Sequence, residues 1–203
     1  MKVVVLGNGE TALKKERGKL IDSFDIVIRC NECLLKGYEE CVGTKTDIIT
    51  VPSNAILKKI ASKVGRTETE NYIQHVNTVW YTRPKYWVEK ITKCSEIAGM
   101  TNIINFEHIC NEDFNKIVGQ FRKEGVASTW PSTGLVAILR AVTTYPDYDI
   151  YVTGFDGFET GHYFKDEKKH HDSITKPIGD DHSREGEKKF FETIIKQHNI
   201  KVL

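Results

Sequence analysis

Short apolar runs alternate along the chain with longer stretches in which apolar residues recur every three or four positions. Val3-Val4-Val5-Leu6 is the first such run and ends at Gly7-Asn8-Gly9, the pattern of a buried parallel strand passing into a loop. Phe24 to Ile28 and Asp47 to Val51 read as the second and third strands, Thr78 to Tyr81 and Asn102 to Ile104 as the fourth and fifth. Asp149 to Thr153, ending at Gly154, and Ile200 to Leu203 close the series. Helical spacing connects them over Thr11 to Ile21, over Lys85 to Ile97 behind Pro84, and over Glu112 to Lys123. Another helix runs from the Pro131 to Gly134 turn to Thr144, where Pro146 stops it, and a last one spans Arg184 to His198. This alternation predicts an α/β fold, a mostly parallel open sheet flanked by helices, with ligands outside the carboxyl ends of its strands. Gly157 to Asp181 is the least regular segment, and a loop of that length in a compact domain is functional or disordered.

Composition narrows the class. The 203 residues suit one domain covering 1–203, with the 157–181 segment as a flexible active-site loop. Lys plus Arg number 29 against 28 for Asp plus Glu, a balance that gives no field for nucleic acid. No signal segment follows Met1-Lys2, and no apolar run reaches the ~18 to 20 residues of a membrane span, so a cytoplasmic protein is expected. The five cysteines are odd in number and read as reduced thiols. Cys30 and Cys33 have Cys-x-x-Cys spacing, but no second pair completes the roughly four ligands of a zinc site.

Candidate chemistry centres on Trp130-Pro131-Ser132-Thr133-Gly134-Leu135. Ser132 and Thr133 can cap the helix that follows, Gly134 lets a ligand approach the backbone, and the first amides favour a phosphate or carboxylate. The plainer alternative is an ordinary N-cap and turn. Asn8 and Asn31 each end a predicted strand, where their amides suit ribose and phosphate or simply favour turn geometry. His170, His171, Asp172, Asp180, Asp181 and His182 combine metal-ligating types without diagnostic spacing, leaving a metal hydrolase as a rival reading. Trp80, Tyr81, Arg83, Lys85, Tyr86 and Trp87 offer an aromatic and basic surface for a sugar ring, or core filling.

Four blocks in order resemble the sialylmotifs of the sialyltransferases. The stretch from Val5-Leu6-Gly7-Asn8-Gly9 through Arg29-Cys30-Asn31 to Thr46-Asp47 is similar to the large motif, and Pro131 to Arg140 with Tyr151 to Phe155 to the small one. Gly161-His162-Tyr163-Phe164 resembles the third motif, and His182 with Glu187 five residues on resembles the very small motif. The Gly-Asn-Gly opening and Arg29-Cys30-Asn31 are also similar to the bacterial sialyltransferases of a related family.

The resemblance implies a single Rossmann-like domain, a GT-A variant, carrying an inverting, metal-independent glycosyltransferase. It would move sialic acid from a CMP-sugar donor to a hydroxyl of a glycan or glycolipid acceptor, with no cofactor beyond that donor. Asn8, Gly9, Asn31, Ser132, Thr133 and Gly134 would hold the donor, and His182 would be the general base, a role its unperturbed pKa near 6.5 suits. Glu187 would orient that imidazole, although spacing alone fits an exposed helix carboxylate equally well. His162 and Tyr163 would donate hydrogen bonds to the leaving phosphate. A donor carrying another CMP-activated keto-acid sugar such as Kdo, or a non-catalytic nucleotide-binding module, are the alternatives. The chain departs from the animal pattern in having no cysteine before Val5 or within the small motif, and in having Phe164 where a second tyrosine is common.

Overall fold

A computed structural model of the chain describes residues 1–53, 57, 76–85, 105–124, 130–157, 159–164 and 184–203. The expected strand at Asn102 to Ile104, nearly all of the helix after Pro84, most of the 157–181 loop, the His170 to His182 cluster and Cys94 fall outside these residues.

Seven strands form one sheet: β1 (Lys2–Leu6), β2 (Ile26–Cys30), β3 (Ile48–Val51), β4 (Thr78–Tyr81), β5 (Asn105–His108), β6 (Asp149–Thr153) and β7 (Lys201–Val202). Their spatial order is β5-β4-β3-β2-β1-β6-β7, and every neighbouring pair is parallel. The chain steps outward from β1 to β5, then returns to the far side of β1 as β6. Strand order therefore reverses between β1 and β6, where a parallel α/β sheet leaves a crevice at its carboxyl edge.

The described helices are α1 (Gly18–Asp22), α2 (Glu39–Val42), α3 (Asn111–Lys123), α4 (Thr133–Thr144) and α5 (Arg184–Gln197). Alternate residues of each central strand face opposite sides, and the apolar runs supply both cores. Val4, Leu6, Val27 and Ile49 pack with Ala12, Ile21 and Val42 on one face. Val3, Val5, Ile28 and Ile48 pack on the other with Phe114 and Phe121 of α3, Leu135 and Ile138 of α4, and Phe190 and Ile194 of α5. The α4 helix is buried from Thr133 through Leu139, so a helix apolar on nearly every side lies between sheet and neighbours. Ser132 caps it, its Oγ accepting the Leu135 amide at 3.3 Å.

The structure decides between two pairs of alternatives. The helix or helical turn expected over Thr11 to Ile21 is a 3-10 turn at Glu10–Leu13 followed by the short α1, because Lys14-Lys15-Glu16-Arg17 gives no apolar stripe to sustain a continuous helix. Strand β5 runs over Asn105–His108, its residues alternating exposed and half-buried, as suits an edge strand. Trp80 and Tyr81 are buried within β4, with Trp80 under the Arg140 guanidinium at 4.3 Å, so neither offers a surface to a sugar ring.

Candidate active site

Parallel pairing brings the carboxyl ends of β1, β2 and β6 to one edge. There Gly7 and Gly154 pass so closely that a Cβ on Gly7 would lie 2.3 Å from the Gly154 carbonyl oxygen, and Gly154 itself has φ +74. The Gly9 amide donates to the Gly154 carbonyl at 2.9 Å, and Gly9 forms an antiparallel bridge with His162. A cavity of about 270 Å³ opens between this junction and the N-termini of α4 and α5.

Eight of the ten residues expected from the sequence line that cavity: Asn8, Gly9, Asn31, Ser132, Thr133, Gly134, His162 and Glu187. Asn8 is buried and its Nδ2 donates to the Cys30 and Glu32 carbonyls at 2.9 and 3.1 Å, fastening the end of β1 to the loop after β2. Asn31 occupies the left-handed region at φ 55, tolerable for asparagine, with its amide bonded to the Thr50 carbonyl at 2.7 Å. Gly134 serves a different purpose from close ligand approach alone. A Cβ there would meet the Phe155 ring at 2.5 Å, so the missing side chain makes room for Phe155, which stacks on Phe191.

Glu187 is buried at 3 % exposure, which removes the exposed-carboxylate reading. Its Oε1 accepts the Ser132 amide at 2.6 Å, tying the first turn of α5 to the N-terminus of α4. Burial pushes the Glu187 carboxyl up to about 7, against the hydrogen bonds from Ser132 and the positive charge of Arg83. One acceptor at this helix N-terminus is thus the protein's own carboxyl group. The amides of Thr133 and Gly134, which precede the first intrahelical bond, still line the cavity.

Tyr163 lies outside the cavity. Its side chain is buried against Tyr38, and its hydroxyl donates to the Leu34 carbonyl at 2.9 Å, so the phenol expected to reach a leaving phosphate is spent on the scaffold. Burial raises its pKa further above the ordinary tyrosine value. His182 lies outside the described residues. Cys30 lines the cavity floor and Cys33 is buried nearby, both as free thiols. Burial, with Cys33 beside it, raises the Cys30 thiol and leaves it inert.

Two lining residues escaped sequence reading. Asp156 accepts a hydrogen bond from the Thr160 hydroxyl, which itself accepts the Glu10 amide at 2.9 Å. The position of Asp156, two residues beyond Gly154 at the carboxyl end of a strand, is the signal that could have found it. Among the described residues no group of three or more His, Cys, Asp or Glu side chains could hold a metal, and no helix is long and apolar enough to cross a membrane.

Fold and site together define a parallel α/β protein with its ligand cavity at the reversal of strand order, walled by glycine turns and the N-terminus of a buried helix. The sequence model of glycosyltransferase family 29 (sialyltransferase) matches residues 1–199, and the chain belongs to that family. It is 29% identical over 167 residues to an alpha-N-acetylneuraminide alpha-2,8-sialyltransferase of Xenopus laevis, a match covering 76% of this chain and 45% of that protein. A 54-residue stretch, 26% of the chain, is 44% identical to a CMP-N-acetylneuraminate-beta-1,4-galactoside alpha-2,3-sialyltransferase of Rattus norvegicus, covering 14% of that relative. The chain therefore spans less than half the length of these relatives. In fold it is similar to a mammalian sialyltransferase, with TM-score 0.61, 18% identity, and coverage of 100% of this chain and 68% of that one. It is also similar to a Campylobacter jejuni sialyltransferase in complex with a substrate analogue, CMP-3FNeuAc, with TM-score 0.58, 16% identity, and coverage of 99% and 80%.

Proposed function

We propose that this chain is a CMP-sialic acid-dependent sialyltransferase, inverting and independent of metal, acting on a hydroxyl of a glycan acceptor. The observation that carries the reading is the cavity at the β1–β6 junction, which gathers Asn8, Gly9, Asn31, Ser132, Thr133 and Gly134 beside His162 and Glu187. Membership in family 29 supports the donor class, as does the fold likeness to a protein whose structure holds CMP-3FNeuAc.

In this reading the donor phosphate lies at the N-terminus of α4, where the Thr133 and Gly134 amides and the helix dipole favour negative charge. The acceptor oxygen attacks the anomeric carbon of the donor sugar as the bond from that carbon to the CMP phosphate oxygen breaks. The bonding electrons leave with CMP, and the acceptor proton passes to His182. Charge grows on the phosphate in the transition state, so donors fixed in advance count most there. His162, which lines the cavity and whose backbone bridges to Gly9, is the donor this reading assigns to that task. Glu187 anchors α5 three residues after its start, five residues beyond His182 in sequence, and so acts as a positioning residue.

The test is CMP-sialic acid turnover with a panel of galactoside and sialylated acceptors in the presence of a chelator. The expected result is transfer that resists chelation and is lost in His182→Ala while CMP affinity stays within about threefold of wild type. Turnover that needs a divalent ion, or that survives His182→Ala, would overturn the mechanism.

A further inference from the structure

A second cavity, about 330 Å³, lies on the other side of the loop that follows β6, at the lower end of the size of small-ligand pockets, about 300–1,000 Å³. It is bounded by the 3-10 turn and the polar run after it on one side and by β6 and the end of β7 on the other. Three cations, Lys14, Lys15 and Arg17, line it, and no Asp or Glu does so among the described residues. Lys14 and Lys15 are exposed and Arg17 is half-buried.

Thr11 supplies an independent observation. Its hydroxyl oxygen is buried and has no hydrogen-bond partner among the described residues, while the residue itself lines this cavity. A buried hydroxyl without a partner is costly and is ordinarily satisfied by water or a ligand atom. A rotation that turns this hydroxyl from its buried position into the cavity lets it donate to an oxyanion while the cations balance the charge. Glu159, an acidic group that Lys14 also holds down, is already paired with Lys188 at 2.5 Å.

We propose that this cavity is a second anion site, taking a carboxylate or phosphate group of a ligand distinct from whatever fills the first cavity. The two cavities stand back to back. Gly154, Phe155 and Phe191 line both, and Phe155 stacks on Phe191 with ring centroids 5.8 Å apart. The Phe155 ring also fills the space beside Gly134 at the start of α4. A ligand in the second cavity thus touches the wall that shapes the first.

Amide chemical-shift mapping during separate titrations with inorganic phosphate and with glucuronate tests this without assuming any nucleotide activity. The expected shifts fall on Thr11, Lys14, Arg17 and Leu203 with either probe or with one, which tells phosphate from carboxylate recognition. In a Lys14→Gln/Arg17→Gln variant those shifts should need at least fivefold more probe, while any shifts at Thr133 and Gly134 stay as in wild type. Thr11→Val should weaken binding by a smaller factor and keep the cations in place. Shifts confined to Thr133 and Gly134, shifts insensitive to both variants, or no shifts with 20-fold more probe than a millimolar site needs would each overturn the proposal.

Discussion

The Arg29 cage and the N-terminus of α4 both lie within the motif blocks, yet they treat their polar groups in opposite ways. Arg29 is 1 % exposed, and its guanidinium is answered wholly within the chain. Nε donates to Thr46 Oγ1 at 2.9 Å, and Nη2 donates to the Val42 and Lys45 carbonyls at 2.8 and 2.9 Å. At α4 the Ser132 amide and hydroxyl are used by Glu187 and Leu135, while the next two amides front the cavity. A motif residue whose donors are saturated internally is scaffold. One whose remaining capacity faces a cavity is a binding group. Tyr163 sorts with Arg29 by this criterion, and His162 with α4.

Three substitutions press on that contrast, the largest effect first. Arg29→Leu leaves the Val42 and Lys45 carbonyls and the Thr46 hydroxyl without their donor, and should cost about 3 kcal/mol or more by urea denaturation. A loss under about 1 kcal/mol would contradict the cage. Glu187→Gln should act through pH. The folded state raises this carboxyl from 4.5 to about 7 and so binds more protons than the unfolded chain between those values. Its contribution therefore weakens as pH rises through that window, by about 3 kcal/mol in all. The neutral glutamine still accepts the Ser132 amide, so its stability relative to wild type should improve between pH 5 and pH 8. Equal differences at the two pH values would show that the carboxyl is not held protonated. Ser132→Ala removes only the cap, about 1 kcal/mol, and should lower CMP affinity less than tenfold because backbone amides remain. A larger loss would move the hydroxyl itself into the binding group.

The strands at the centre of the sheet were readable because β1, β3 and β6 are buried apolar runs that no helix period fits. Edge and connection were harder. The segment Asn105-Phe106-Glu107-His108 carries one apolar residue in four, and its Glu107 and His108 side chains meet Trp80 and Tyr81 of β4 across the sheet edge, contacts that leave no local pattern. The four-residue α2 is too short to leave a period. Site residues were legible where the pattern fixes a strand end, as at Asn8 and Asn31, or a helix start, as at Ser132. They were not legible where the role depends on a partner far away in sequence. Tyr163 reaching Leu34, Phe155 filling the space at Gly134, and Glu187 turning inward to Ser132 are all long-range contacts without a local signature.

The central claim is that the cavity at the β1–β6 junction holds a CMP-activated donor. Calorimetric titration of the purified chain with CMP, UMP, GMP and AMP, with a chelator present, tests it most directly. The account predicts saturable binding of CMP at least tenfold tighter than that of the other three. Equal affinity for all four nucleotides, or none for CMP, would contradict it.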